Sequence, residues 1–79
     1  MKQVLFDIVT SIVNNPDKVV IEEKVSGDTT VLNLMVDESD LGKVIGKQGR
    51  IAKAIRTVVK AVANSTGKRV IVDISENND

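Results

Sequence analysis

Leu41-Gly42-Lys43-Val44-Ile45-Gly46-Lys47-Gln48-Gly49-Arg50-Ile51-Ala52-Lys53-Ala54-Ile55-Arg56 decides the fold. A short apolar stretch, about one helical turn, precedes Gly46-Lys47-Gln48-Gly49, and a longer stretch with helical periodicity follows it. The four residues therefore read as a tight bend joining two helices. Glycine is favoured where the backbone takes positive φ or lies close against a ligand. Lys47 and Arg50 place cations at the bend and at the start of the second helix, where the positive end of the helix dipole disfavours them. An anion resolves the conflict, because free backbone N–H groups, the dipole and both cations then point at it. Glycines that merely let two helices pack closely leave those cations unexplained.

Outward from the bend, Asp37-Glu38-Ser39-Asp40 is a polar break, and Ser39 or Asp40 can cap the short helix that begins near Leu41. Upstream, Val4, Leu5, Ile8, Val9, Ile12 and Val13 have the spacing of an apolar helical face over about residues 2–14, with Phe6 at its edge. Asn14-Asn15-Pro16-Asp17 stops that helix. Lys18 to Val25 predicts a strand with Val19, Ile21 and Val25 on one face and Val20, Glu22 and Lys24 on the other. After the turn Ser26-Gly27-Asp28-Thr29, a second strand runs from Thr30 to Val36, with Leu32, Leu34 and Val36 alternating with Val31, Asn33 and Met35. The pair reads as an antiparallel hairpin.

Downstream, the second helix of the bend spans about Arg50 to Ser65. Ile51, Ile55, Val58, Val59 and Val62 form a stripe expected to be mostly core. Lys53, Arg56 and Lys60 cluster opposite it, Arg50 lies nearer its edge, and Ala52, Ala54, Ala61 and Ala63 flank it. Gly67 is the expected left-handed cap. Lys68 to Ile74 predicts a third strand, with Val70, Val72 and Ile74 alternating with Arg69, Ile71 and Asp73. The tail, residues 75–79, is polar and expected to fray. The order α-β-β-α-α-β makes this an α+β chain, one domain over residues 1–79.

A chain of 79 residues without cysteine or histidine has a thin core and no disulfide, thiolate metal site or imidazole base. Gly42, Gly46 and Gly49 match neither the dinucleotide fingerprint nor the P-loop, and they follow a helix where both motifs follow a strand. Glu22 and Glu23 point to opposite faces of a strand and form no dyad. No enzyme, cofactor or metal centre is expected. The N-terminus lacks a signal-peptide profile and no apolar run can span a bilayer, so a soluble cytoplasmic protein without membrane contact is expected. Net charge is zero, but its distribution is polarised. Lys43, Lys47, Arg50, Lys53, Arg56, Lys60, Lys68 and Arg69 fall between Leu41 and Val72 with no acid among them, and all eleven acids lie outside. Such a segment attracts phosphate; ordinary solvated helix charges would alternate in sign. Phe6, the sole aromatic residue, argues against modules that stack bases on rings.

Ile45-Gly46-Lys47-Gln48-Gly49-Arg50-Ile51, followed by Ile55, resembles the Ile-Gly-x-x-Gly signature of KH domains, and length, element order and motif position resemble the small bacterial KhpA-type RNA-binding proteins. The resemblance implies a type II KH domain, with a three-stranded sheet covered on one face by three helices and a core over residues 30–74. It implies that the loop clamps single-stranded RNA: Gly46 and Gly49 admit phosphates, while Lys47, Gln48 and Arg50 line the contact. Val44 and Ile45 are apolar candidates beneath the bases, Ile45 being equally a core candidate. Lys43, Lys53, Lys68 and Arg69 add charge along the groove, whose far side is the strand around Arg69 to Val72 and the loop Asn64 to Lys68. An RNA chaperone or post-transcriptional regulator is the implied role. A homodimer, or a heterodimer with a KhpB-type KH protein, is the implied assembly. The competing reading is a protein-interaction module with little RNA binding of its own.

Overall fold

Leu32, Leu34 and Val36 alternate with less buried neighbours and have no solvent exposure, which fixes one face of the central strand to the core. The computed structural model describes residues 2–77. Its elements are α1 (Lys2–Thr10), β1 (Val20–Ser26), β2 (Thr29–Asp37), α2 (Leu41–Ile45), α3 (Arg50–Ser65) and β3 (Arg69–Asn77), in the expected α-β-β-α-α-β order. Short 3-10 turns at Pro16–Lys18, Glu38–Asp40 and Lys47–Gly49 join them. The sheet order is β1-β2-β3. β1 and β2 form the expected hairpin, antiparallel through Gly27-Asp28, and β3 returns parallel to β2 with Thr29 opposite Arg69 and Leu32 opposite Val72.

Ile21, Leu34 and Ile74 share a row across the sheet, as do Leu32 and Val72. These rows meet Leu5 and Val9 of α1, Val44 of α2, and Ile55, Val59 and Ala63 of α3 in one core. All three helices thus cover the same face, and each large apolar side chain so enclosed contributes about 1.5–3 kcal/mol. The other face carries exposed Glu22, Lys24, Ile71 and Asp73. Gly67, at φ 74°, closes α3 as expected, with the Lys68 amide donating to the Ala63 carbonyl at 3.1 Å.

Four expectations shift. α1 ends at Thr10, not near Asn14. The Thr10 hydroxyl donates to the Phe6 carbonyl and the Ser11 hydroxyl to the Ile8 carbonyl, both at 2.7 Å, and such local bonds compete with the helical ladder. The Ile12 amide then closes a tighter turn onto the Val9 carbonyl, and Val13 still reaches the core. Val25 shares the face of Ile21 but is 68% exposed, because it lies on the outer strand beside the hairpin turn. In α3 the buried stripe is Ala52, Ile55, Val59 and Ala63; Ile51 and Val58 stay 37% and 46% exposed. Small alanines bring the helix close to the sheet and turn the bulkier pair outward. Finally, Ser75, Glu76 and Asn77 are not frayed: they pair with Met35, Val36 and Asp37 and extend β3; the rest of that expected tail, residues 78–79, lies outside the described residues.

Candidate nucleic-acid interface

The bend is built on a close approach. Gly46 follows α2 at φ 75°, ψ 176°, a region open essentially to glycine alone. A Cβ there would lie 2.6 Å from Cγ1 of Ile51, so the first turn of α3 seals against the bend. Gln48 (φ 57°, ψ 23°) and Gly49 (φ 73°, ψ 16°) then take left-handed conformations. Around Gly49 there is open space, so its requirement is conformational only. α3 begins with no acid in its first turn and no side-chain cap. Its positive end is left to the exposed side chains of Lys47, Gln48 and Arg50, an arrangement suited to an anion.

Asp40 anchors the start of α2, the helix that leads into the bend. Its side chain is fully buried and makes no cap bond to α2; instead Asp37 accepts from the Ser39 amide at 3.1 Å. The Asp40 carboxylate accepts from the Asn14 amide at 3.1 Å, the Asn15 amide at 2.9 Å and Asn15 Nδ2 at 3.1 Å. Lys43 Nζ lies 3.7 Å away. Burial pushes its pKa up, but the bonds from Asn14 and Asn15 and the Lys43 charge outweigh burial and hold it below 3.8. This carboxylate clasps the link after α1 to the start of α2. The expected cap role was read from local spacing, and the actual partners lie 25 and 26 positions away.

Lys47, Gln48, Arg50, Lys53, Lys68 and Arg69 are exposed, while Lys43, Ile45, Gly46 and Gly49 are half-buried. Val44 is different: it is 0% exposed and belongs to the core, so the expectation that it lies beneath bases is corrected. α2 is one turn long, and the side chain facing the sheet is the one that anchors it. Lys68, expected on the far side of the groove, lies at the end of the loop after α3. It lines a depression at the hairpin end with Glu23, Gly27 and Asp28. Lys60, Asn64 and Arg69 instead line one depression with Val70 and Ile71 beside β3. Arg56 reaches the same strand, its Nε donating to the Val72 carbonyl at 3.1 Å. Arg56 and Lys60 belong to the basic segment expected to attract phosphate but were not placed along the groove; their spacing with Lys53 at i, i+3 and i+7 already put all three on one face. On another side of α3, Ile51, Ala54 and Val58 form an apolar trough with Ile8, Ile12 and Arg50.

The family described as "KhpA/KhpB, KH domain" matches residues 2–74. "RNA-binding protein KhpA" of Clostridium acetobutylicum is 54% identical over 74 residues, covering 94% of this chain and 99% of its own. The protein of the same name from Clostridium perfringens is 50% identical over the same coverage, and that from Aquifex aeolicus is 51% identical over 82% of each chain. Among solved structures, Aquifex aeolicus Era bound to GDP and AlF4− shares the fold at a TM-score of 0.61 and 17% identity, over 95% of this chain but 29% of that one. The Ile45–Ile51 signature, the mixed three-stranded sheet and the near-full-length relatives agree: the chain belongs to the KhpA/KhpB KH-domain family.

Proposed function

We propose that this chain binds single-stranded RNA, clamping the backbone at Gly46-Lys47-Gln48-Gly49, and that it acts in the cytoplasm as an RNA chaperone or post-transcriptional regulator without catalysing a reaction. One observation carries the reading. The bend between α2 and α3 is closed so tightly that only glycine fits at Gly46, and its exposed side chains supply cations at a helix N-terminus with no acid in the first turn. Such a bend admits a phosphate to backbone contact. The names of the KhpA relatives, which call them RNA-binding proteins, support it. Lys43, Lys53 and Arg69 extend the charge on either side, and half-buried Ile45 borders the bend. The test is Lys47→Asp with Gln48→Asp, exposed positions whose replacement puts acids beside the phosphate and spares the core. Binding of a fluorescent uridine-rich RNA should collapse at unchanged melting temperature. Equal affinity of the folded variant and the parent would sink the proposal.

A protein-interaction role has its own support in the trough between α1 and α3. Ile51 and Val58 are exposed there beside Ile8 and Ile12, an apolar surface of the kind that meets a partner. A second copy in a two-fold arrangement is the simplest occupant, and a KhpB-type KH protein is the hetero-partner. Two weak RNA grooves in one dimer gain by avidity, so the readings are compatible.

A further inference from the structure

β3 is an edge strand. The Arg69 amide donates to the Asp28 carbonyl in the hairpin turn, so the backbone groups of Arg69, and of alternate residues after it, face β2. Those of Val70, Val72 and Ile74 face the open side. The Val72 carbonyl on that side is not free: Nε of Arg56 donates to it at 3.1 Å. This bond holds the guanidinium against the edge and leaves its two terminal nitrogens unassigned. Among the described residues the sole ion pair is Lys43 with Asp40, so none of their carboxylates engages Arg56. A fixed, unpaired guanidinium is a pre-organised two-pronged donor. It sits six residues beyond Arg50, about 9 Å along α3 from the bend, and one turn before Lys60, which lines the depression beside β3.

We propose that Arg56 sets the base preference of this groove: it caps the Val72 carbonyl, removing the acceptor that a 6-amino purine would use, and presents its terminal N–H groups to the O6 and N7 acceptors of guanine. The inference rests on the RNA-binding reading and adds which base is taken where. Guanine shows two adjacent acceptors on that edge, whereas adenine shows one acceptor beside an amino donor. A guanidinium satisfies the first and is opposed by the second, since donor would meet donor. Were Val72 uncovered, its carbonyl would accept from the adenine amino group and the preference would relax or reverse.

The experiment measures fluorescence anisotropy with short uridine-rich RNAs that carry one central guanosine, inosine or adenosine. Inosine keeps O6 and N7 without the 2-amino group, so it isolates the edge in question. The parent protein should bind the guanosine and inosine RNAs about tenfold more tightly than the adenosine RNA. Arg56→Met keeps the aliphatic stem and removes every donor; its ratio should fall to within about twofold or invert. Arg56→Lys keeps the charge and loses the fork, so its overall affinity should stay near the parent's while the ratio falls. Arg56 is exposed, so both variants should fold. A parent ratio near one, or a ratio unchanged in the lysine variant, overturns the assignment. Loss of binding in Lys47→Asp with Gln48→Asp, together with an unchanged Arg56 ratio, removes this inference alone. Absence of RNA binding by the parent removes both.

Discussion

Gly46 and Gly49 share a signature but not a constraint, and Gly46→Ala and Gly49→Ala separate the two. At Gly46 the methyl group meets Cγ1, Cβ and Cδ1 of Ile51 at 2.6, 2.9 and 2.9 Å. Relieving such overpacking costs about 1–3 kcal/mol. Holding a side chain at φ 75°, ψ 176° costs about another 1–3 kcal/mol. The reduced freedom of alanine in the unfolded chain offsets about 0.4–1 kcal/mol, so Gly46→Ala should lose roughly 3 kcal/mol. At Gly49 the space is open, and only the left-handed conformation is charged, at about 1–2 kcal/mol before the same offset. Urea denaturation at low temperature is the assay, because each kcal/mol lowers the melting temperature of a domain this size by about 4–8 °C. Ile51→Ala in the Gly46→Ala background removes the 2.6 Å contact and one of those at 2.9 Å but keeps Cβ. It should recover part of the loss as a coupling of about 1 kcal/mol. Equal losses in the two alanine variants, with additive effects of Ile51→Ala, would refute the close-approach argument.

Asp40 gives a pH prediction. Its folded carboxyl titrates below its unfolded value, so its stabilisation is fully present above about pH 4 and is lost as pH falls through the folded value. Asp40→Asn should be less stable than the parent near neutral pH, and the two urea curves should converge as pH falls through the folded value; a gap that does not narrow contradicts the clasp. RNA affinity should fall with salt at a slope of about −0.7 per phosphate, for roughly 2–4 phosphates. A flat response in a salt titration would assign binding to apolar contacts. Val58→Lys places a charge in the α1–α3 trough at a position already 46% exposed. It should weaken self-association in sedimentation equilibrium with little change in melting temperature, whereas a parent that sediments as a monomer at every concentration removes the homodimer.

Periodic and punctuated features were legible in the sequence. The alternation of Leu32, Leu34 and Val36, the Gly27 turn, the Gly46–Gly49 bend and the Gly67 cap are local signals, and each lies where its spacing put it. What the sequence concealed was decided at a distance. Ser75 to Asn77 look like a solvated tail, yet the backbone of β2 holds them in a ladder whatever their side chains. Ala52 and Ala63 are buried in place of Ile51 and Val58, because contact distance to the sheet, not hydrophobicity, chooses the inner side of α3. Val44 read as a contact beneath the bases because the family resemblance runs the groove along α2, and nothing local shows that this one side chain faces the sheet. Arg56 read only as part of the basic segment because nothing in its own helix reveals the strand carbonyl opposite.

The parallel pairing of β3 with β2 has a consequence for synthesis. Each residue of β2 faces one forty positions later, from Thr29 with Arg69 to Asp37 with Asn77. On a ribosome, α1 and the β1–β2 hairpin emerge before that partner does. Leu32 and Leu34 then border an unpaired strand edge, with the helices that cover them incomplete. Non-local pairing is the slow part of folding, and an open edge is the part at risk of adhering to another chain. The nascent chain is therefore most vulnerable to aggregation between emergence of Asp37 and emergence of Asn77.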